Sequence, residues 1–467
     1  MLFTQIEFFI LFAGVIIFLL LVKNHRAQKI FLLLFSYYFY AYWDWRFLFL
    51  LLGSTCIDYT IGIALEKSKS PVERKFLIVA SLITNLGVLC LFKYFNFFID
   101  NLRPILESFG FRPTNLSLIL PIGISFYTFQ SLSYTIDVYR RTIKPCKDFF
   151  DLALCIAFFP QLVAGPIVRA SYFMPQIRRP REMTLLNAYY GFRLVVYGLF
   201  KKVFIADNIA MFVDDVFGKP GMYSCTTTWL AVLAYAVQIY CDFSGYSDMA
   251  IGMARIMGYK FRMNFNLPYI SSNMSEFWQR WHISLSSWLR DYLYISLGGN
   301  RLGTVRTYVN LMLTMLLGGL WHGAAWTFIL WGALHGAALA VQRIFSFKRL
   351  FAETKASQFA SSTLGWALTF FAVLIGWVFF RSQGFTASFL TLRQMFFPSE
   401  GIIWYHPFVI GVIIAMFIFH LVHALEHEKI FHLGPFQLRS PAILFTMLWL
   451  IIVFHPKTFN PFIYFQF

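Results

Sequence analysis

Apolar runs recur along the chain at roughly 6–22, 30–43, 47–65, 76–95, 117–137, 150–166, 189–213, 228–252, 309–342, 362–381, 404–424 and 441–455. A membrane span needs about 20 mostly apolar residues. Several runs are short, so about ten to twelve crossings are expected, with residues 1–467 forming a single all-α polytopic membrane domain. Two stretches break the rhythm. Between 166 and 190 lie Arg169, Arg178, Arg179, Arg181 and two prolines, and residues 253–306 are polar and aromatic. Partly buried or re-entrant helices are expected there, because irregular backbone at membrane depth survives only when packed in protein or lining a cavity.

Within the second stretch the pattern becomes amphipathic. Asn273 is placed to cap a helix, with Glu276 three residues later as its capping-box partner. Glu276 and Arg280 are i,i+4 partners in the favourable order. Phe277, Trp278, Trp281, Leu285, Trp288, Leu289 and Tyr292 form a wide apolar face. One helix lying at the interface and ending at Gly298-Gly299-Asn300 is expected.

The run containing His322 is the most informative. From Thr307 to Gln342 there is no Asp, Glu, Lys or Arg. As one helix it would be about 54 Å long, against a hydrocarbon core of about 30 Å. A break or tilt is therefore expected, and Gly318-Gly319 offers a place for it. His322 lies inside Gly319-x-x-x-Gly323, and His335 inside Gly332-x-x-x-Gly336. Small residues at this spacing allow close helix approach. An imidazole at this depth is a functional candidate, and in its neutral form it accepts a proton near pH 7. On one continuous helix the two histidines fall about 220° apart, so His335 is read as structural. His282, one turn after Trp278 on the amphipathic helix, is the better second site residue; its alternative is a plain interfacial histidine.

Composition agrees with a membrane chain: 58% hydrophobic, 20% aromatic and only 13% charged, with a mean hydropathy of +0.63. The net charge of +17 sits in short loops. That is a topology signal, and no nucleic-acid partner is expected, since no recognition motif accompanies it. Lys23, Arg26, Lys29, Lys67, Lys69, Arg74, Lys75, Arg140, Arg141, Lys144 and Lys147 fall on one side of the first five spans; Arg46, Arg103 and Arg112 fall on the other. The first side is expected to face the cytoplasm, which puts the N-terminus outside. The first run lacks a basic n-region and a small-residue cleavage site, so a retained helix is expected. The six cysteines include no C-x-x-C pair, and neither a zinc site nor a disulfide framework is expected.

Other clusters are weaker. Asp242, Ser244, Tyr246 and Asp248 lie in Cys-Asp-Phe-Ser-Gly-Tyr-Ser-Asp. Acids in an apolar neighbourhood need partners; they either pair with Arg residues of the core or help shape an active-site tunnel. His420, His423 and His427 share one helix face, but no H-E-x-x-H pattern accompanies them and a helix C-terminus itself favours histidine, so no metal is expected. There is no G-x-S-x-G, P-loop or G-x-G-x-x-G motif.

Eight blocks carry a family resemblance: residues 120–127, 133–140, 159–166, 201–207, 242–252, 276–286, 288–295 and 317–323. Together they make the chain similar to membrane-bound O-acyltransferases, in particular the bacterial branch that serves alginate O-acetylation. Gln279 departs from the pattern, where an arginine is expected. The resemblance implies a ring of about 11 tilted helices with re-entrant and interfacial helices around a central tunnel, with a catalytic core near 117–342. It implies His322 as the catalytic histidine and His282 as the second site histidine. Trp281, Arg280, Asp291 and Trp321 are expected as supporting site residues around them. It also implies a bacterial inner-membrane protein with no bound cofactor. The donor would be a cytoplasmic thioester, acetyl-CoA. The acetyl group would pass to a periplasmic SGNH-type acetyltransferase working with polysaccharide biosynthesis proteins on an exported polymer such as alginate or cellulose. Arg178, Arg179 and Arg181 would then attract coenzyme A phosphates, although positive-inside bias alone accounts for them.

Two rival functions remain. One is D-alanyl transfer to teichoic acid from a carrier-protein thioester. The other is a transporter or flippase with a proton-relay histidine, against which counts the lack of an internal repeat.

Overall fold

The computed structural model describes residues 1–345, 355–397, 400–427, 440–456 and 461–463. Among these the secondary structure is helical, with one isolated bridge between Tyr223 and Ile402. Among the described residues, four helices are long and apolar enough to cross a membrane: Arg46–Lys67, Pro71–Ser108, Trp326–Phe345 and Ala360–Arg381. Ile6–Leu21, Pro407–His423 and Pro441–Val453 are shorter apolar helices. The chain is a membrane protein. It divides into two compact units, Met1–Val195 with Ser247–Arg262, and Val196–Tyr246 with Met263–Phe467.

In the first unit, local signals set the helix starts. Asn24 accepts from the Ala27 N–H at 3.0 Å, and Asp148 from the Phe150 N–H at 2.9 Å. Ser70 caps Pro71–Leu89, with proline in the first turn where its missing N–H costs nothing. The run expected to span 117–137 becomes helical only at Ile124. Gly123 turns the chain into it at φ 77, and a Cβ there would lie 2.6 Å from the Leu162 carbonyl oxygen. The helix Ile124–Tyr139 is buried on nearly every face despite its Ser, Thr, Gln and Asp residues. Polar partners make that tolerable. Its Thr135 meets Ser81, which donates to Asp58, and Asn85 donates to the same carboxylate at 3.0 Å. The expected run 150–166 is cut at Phe158, giving Phe149–Ala157 and Phe159–Leu162, the latter opened by Pro160.

Two of the three candidate phosphate-binding arginines are engaged inside this unit. Arg178 reaches Asp151 at 3.7 Å and the Cys146 Sγ at 3.3 Å. Arg181 donates to Gln28 at 3.0 Å and lies over the Tyr259 ring at 4.9 Å.

In the second unit, the uncharged run is a helical hairpin, Thr304–His322 and Trp326–Phe345. The turn falls at Gly323–Ala325, not at Gly318-Gly319 as expected. Those two glycines stay helical, and Gly319 serves close approach instead. A Cβ on Gly319 would strike the Phe328 carbonyl oxygen, and one on Gly332 would strike the Met315 carbonyl oxygen. The small-residue seam therefore joins the two arms of one hairpin. The single interfacial helix expected from Asn273 to Gly298 is also broken. It forms Met274–Arg280, then Ile283–Trp288, then a π-helical turn, Leu289–Tyr294.

Candidate active site

The start of Met274–Arg280 follows the sequence signal closely. Asn273 accepts from the Glu276 N–H at 2.9 Å, and Glu276 accepts from Arg280 at 2.9 Å. The box closes one residue earlier than expected, since Glu276 receives the Ser272 N–H at 2.9 Å. Gln342 donates to Asn273 and accepts from the Ser275 N–H, tying this helix to the hairpin.

The helix stops at Trp281 because His282 adopts φ 41 and ψ 56, in the left-handed region. A non-glycine residue held there stores strain and persists only where its surroundings over-determine it. Asn264 supplies that restraint. Its carbonyl Oδ1 accepts from the Ser284 N–H at 3.1 Å and the Ser284 hydroxyl at 2.9 Å. It also accepts from the His282 Nδ1–H at 3.3 Å, and the Asn264 main-chain oxygen accepts from the Ile283 N–H at 2.8 Å. With its proton on Nδ1, His282 keeps its lone pair on Nε2. Both Asn264 and His282 are buried. Asn264 had no signal in the sequence.

His322 ends the first arm of the hairpin and is 3% exposed. Its ring lies 5.1 Å from Trp321, 4.9 Å from Trp331 and 5.3 Å from Phe380. Trp321 also faces His282, at 6.3 Å. The two proposed site histidines thus flank one indole. His335 belongs to the same cluster, which corrects the helical-angle argument: the turn at Gly323–Ala325 breaks the helix between the histidines. Trp331 contacts His335 at 4.6 Å and His322 at 4.9 Å. Trp278 closes on His335 at 5.3 Å. Gly376 lets His335 approach the next helix, since a Cβ there would lie 2.9 Å from the imidazole Nε2. The Trp331 and Trp278 indole N–H groups and both His335 ring nitrogens are buried and have no hydrogen-bond partner among the described residues.

The supporting residues divide. Trp281 is 1% exposed, stacks on Phe277 at 5.7 Å and packs on Trp377 at 5.0 Å, forming the wall behind the histidines. Arg280 is held by Glu276 and by the Asn266 carbonyl oxygen, an arrangement that locks the helix end. Asp291 lies on the π-helical turn, where Arg290 reaches it at 2.6 Å.

The acidic cluster pairs with a lysine rather than an arginine. Lys202 reaches Asp242 at 2.6 Å and Asp207 at 2.8 Å, all three buried. Lys201 donates to Ser244 at 2.9 Å, and Tyr246 is buried. Asp248 falls in the first unit and is half-buried. His420 donates to the Met416 carbonyl oxygen at 2.9 Å and packs on Tyr240, while His423 packs on Phe419. The His427 side chain lies outside the described residues. Among the described residues, no group of three or more His, Cys, Asp or Glu side chains is placed to hold a metal ion.

In chemical terms the site is a buried, aromatic-walled cluster with three imidazoles. A neutral imidazole in such surroundings can accept a hydroxyl proton.

Comparison with known proteins names the chemistry. The membrane-bound O-acyltransferase family profile matches residues 147–382, which include His282, His322 and His335. The probable alginate O-acetylase of Pseudomonas aeruginosa is 45% identical over 401 residues, covering 85% of this chain and 75% of the relative. The peptidoglycan O-acetyltransferase of Helicobacter pylori is 39% identical over 410 residues, covering 82% and 76%. The teichoic acid D-alanyltransferase of Bacillus subtilis is 28% identical over 282 residues, covering 58% and 70%. The chain belongs to the membrane-bound O-acyltransferase family and is an O-acyltransferase.

Proposed function

We propose that this chain takes an acetyl group from a cytoplasmic thioester, acetyl-CoA, and passes it across the membrane for O-acetylation of an exported polysaccharide. The proposed setting is the bacterial inner membrane with the N-terminus in the periplasm. The proposed architecture is a single domain, a ring of roughly eleven tilted helices around a tunnel. A periplasmic SGNH-type acetyltransferase is the proposed recipient. The observation that carries the reading is the buried cluster in which Trp321 joins His282 to His322 and Trp331 joins His322 to His335.

In this reading His322 accepts the proton of the attacking hydroxyl, the hydroxyl oxygen bonds to the thioester carbonyl carbon, and the thiolate leaves as the tetrahedral intermediate collapses. The Trp331 indole N–H is the proposed donor to the oxyanion. A cavity of about 740 Å³ along the second arm of the hairpin is the proposed approach to the cluster. Ser272, Asn273, Gln342 and Ser361 line it, with Ala338, Leu339 and Ala372. Ala338 and Leu339 lie one turn beyond His335, and Ala372 one turn before Gly376.

The relatives favour two acceptors. The alginate O-acetylase at 45% identity favours an exopolysaccharide, and the peptidoglycan O-acetyltransferase at 39% favours the cell-wall glycan. D-alanyl transfer has the weaker support of the 28% relative.

The decisive experiment replaces His322 with Ala in cells that carry the full chain, with O-acetyl content measured on exopolysaccharide and peptidoglycan separately. Loss of acetyl from one polymer, with the variant still inserted at normal abundance, is the expected result. Unchanged acetylation of both would overturn the catalytic assignment.

A further inference from the structure

Residues 461–463 pack beside the site although nothing in the sequence marks them. Phe462 is 2% exposed and Ile463 is 6% exposed. The Phe462 ring lies 5.4 Å from Phe243 and 5.1 Å from Tyr246. Phe243 is the ring that meets His282 edge-on, at 4.6 Å. The Ile463 main-chain N–H donates to Asp242 Oδ2 at 2.8 Å, while Lys202 holds Oδ1 at 2.6 Å.

This attachment is more than apolar contact. One buried ammonium faces two carboxylates, because Lys202 also serves Asp207. A buried carboxylate is costly unless its oxygens are hydrogen-bonded. The Ile463 amide meets part of that need with a charge-assisted bond, so the acid holds the segment and the segment solvates the acid. His282, in turn, occupies a strained backbone conformation that needs restraint from its surroundings. Asn264 holds its Nδ1 edge; Phe243 packs against the ring.

We propose that Phe462 is a positioning residue: fastened by the Ile463–Asp242–Lys202 clamp, it fixes Phe243 and, through it, the His282 imidazole. The proposal rests on the reading of His282 as the second site histidine.

The test uses the full chain with Phe462→Ala, Phe462→Leu and Ile463→Pro. The last removes the amide donor but keeps the phenylalanine ring. Two readouts are taken: hydrogen–deuterium exchange at the histidine C2 positions of the purified protein, and O-acetyl content of the cell's polysaccharides. In Phe462→Ala, exchange at His282 is expected to rise while exchange at His25 stays unchanged. Acetyl transfer should fall roughly tenfold to a hundredfold, the scale that a small misplacement of a site group costs. Phe462→Leu should restore most of both readouts, and Ile463→Pro should shift both in the direction of the alanine variant. His282→Gln separates the two possible failures. If transfer survives His282→Gln, the site reading falls. If His282→Gln abolishes transfer while Phe462→Ala and Ile463→Pro leave both readouts at the parent level, the clamp falls.

Discussion

At the scale of the residue, the site depends on buried polar atoms more than on charges. A buried indole N–H without a partner costs about 1–3 kcal/mol, so a Trp331 N–H with no hydrogen-bond partner among the described residues, beside His322, is a poor choice for stability alone. Its proposed use is to donate to the oxyanion that forms on the thioester carbonyl. Trp331→Phe keeps most of the ring packing and removes only the donor. The expected result is a loss of roughly 100-fold in transfer rate, with little change in thermal stability of the detergent-solubilised protein. A rate near the parent value would dismiss the donor role. His322 itself was legible from the sequence, because an imidazole in an uncharged apolar run is conspicuous. Asn264 was not, because its work is to hold a residue eighteen positions away, and no local pattern encodes that.

At the scale of the element, glycine decides the geometry of the hairpin. Gly332→Ala gains up to about 1 kcal/mol of helix propensity. It also drives a Cβ into the Met315 carbonyl oxygen, and backbone cannot swing aside as a side chain can. Overpacking of this kind costs about 1–3 kcal/mol, so a net loss of stability is expected in unfolding measurements. Gly14→Ala is the contrast: a Cβ there meets nothing within 4 Å, and the propensity gain should stand alone. The seam was legible as small residues at helical spacing. Its partner was not, since the same spacing serves packing against any helix. Likewise, Asn273 and Glu276 announced a helix start, but the stop at His282 came from Asn264 and not from any local breaker.

At the scale of the whole molecule, alternating loop charge is the main guide to orientation. A reporter enzyme active only outside the cytoplasm should be active when fused after Arg112 and inactive when fused after Lys144; the opposite pattern would reverse the proposed topology. Apolar patterning by itself pointed to a helical membrane chain, because the recurring apolar runs match the length of a spanning helix and the hydrocarbon core tolerates few charges. The uncharged run by itself marked His322, because burial makes a titratable group costly unless it serves a purpose. The tertiary structure decided which histidines meet. Folding the run back at Gly323–Ala325 carries His335 to Trp331, and the turn at His282 aims that ring at Trp321. Such meetings depend on where chain breaks fall and on side chains distant in sequence, and helical periodicity carries neither.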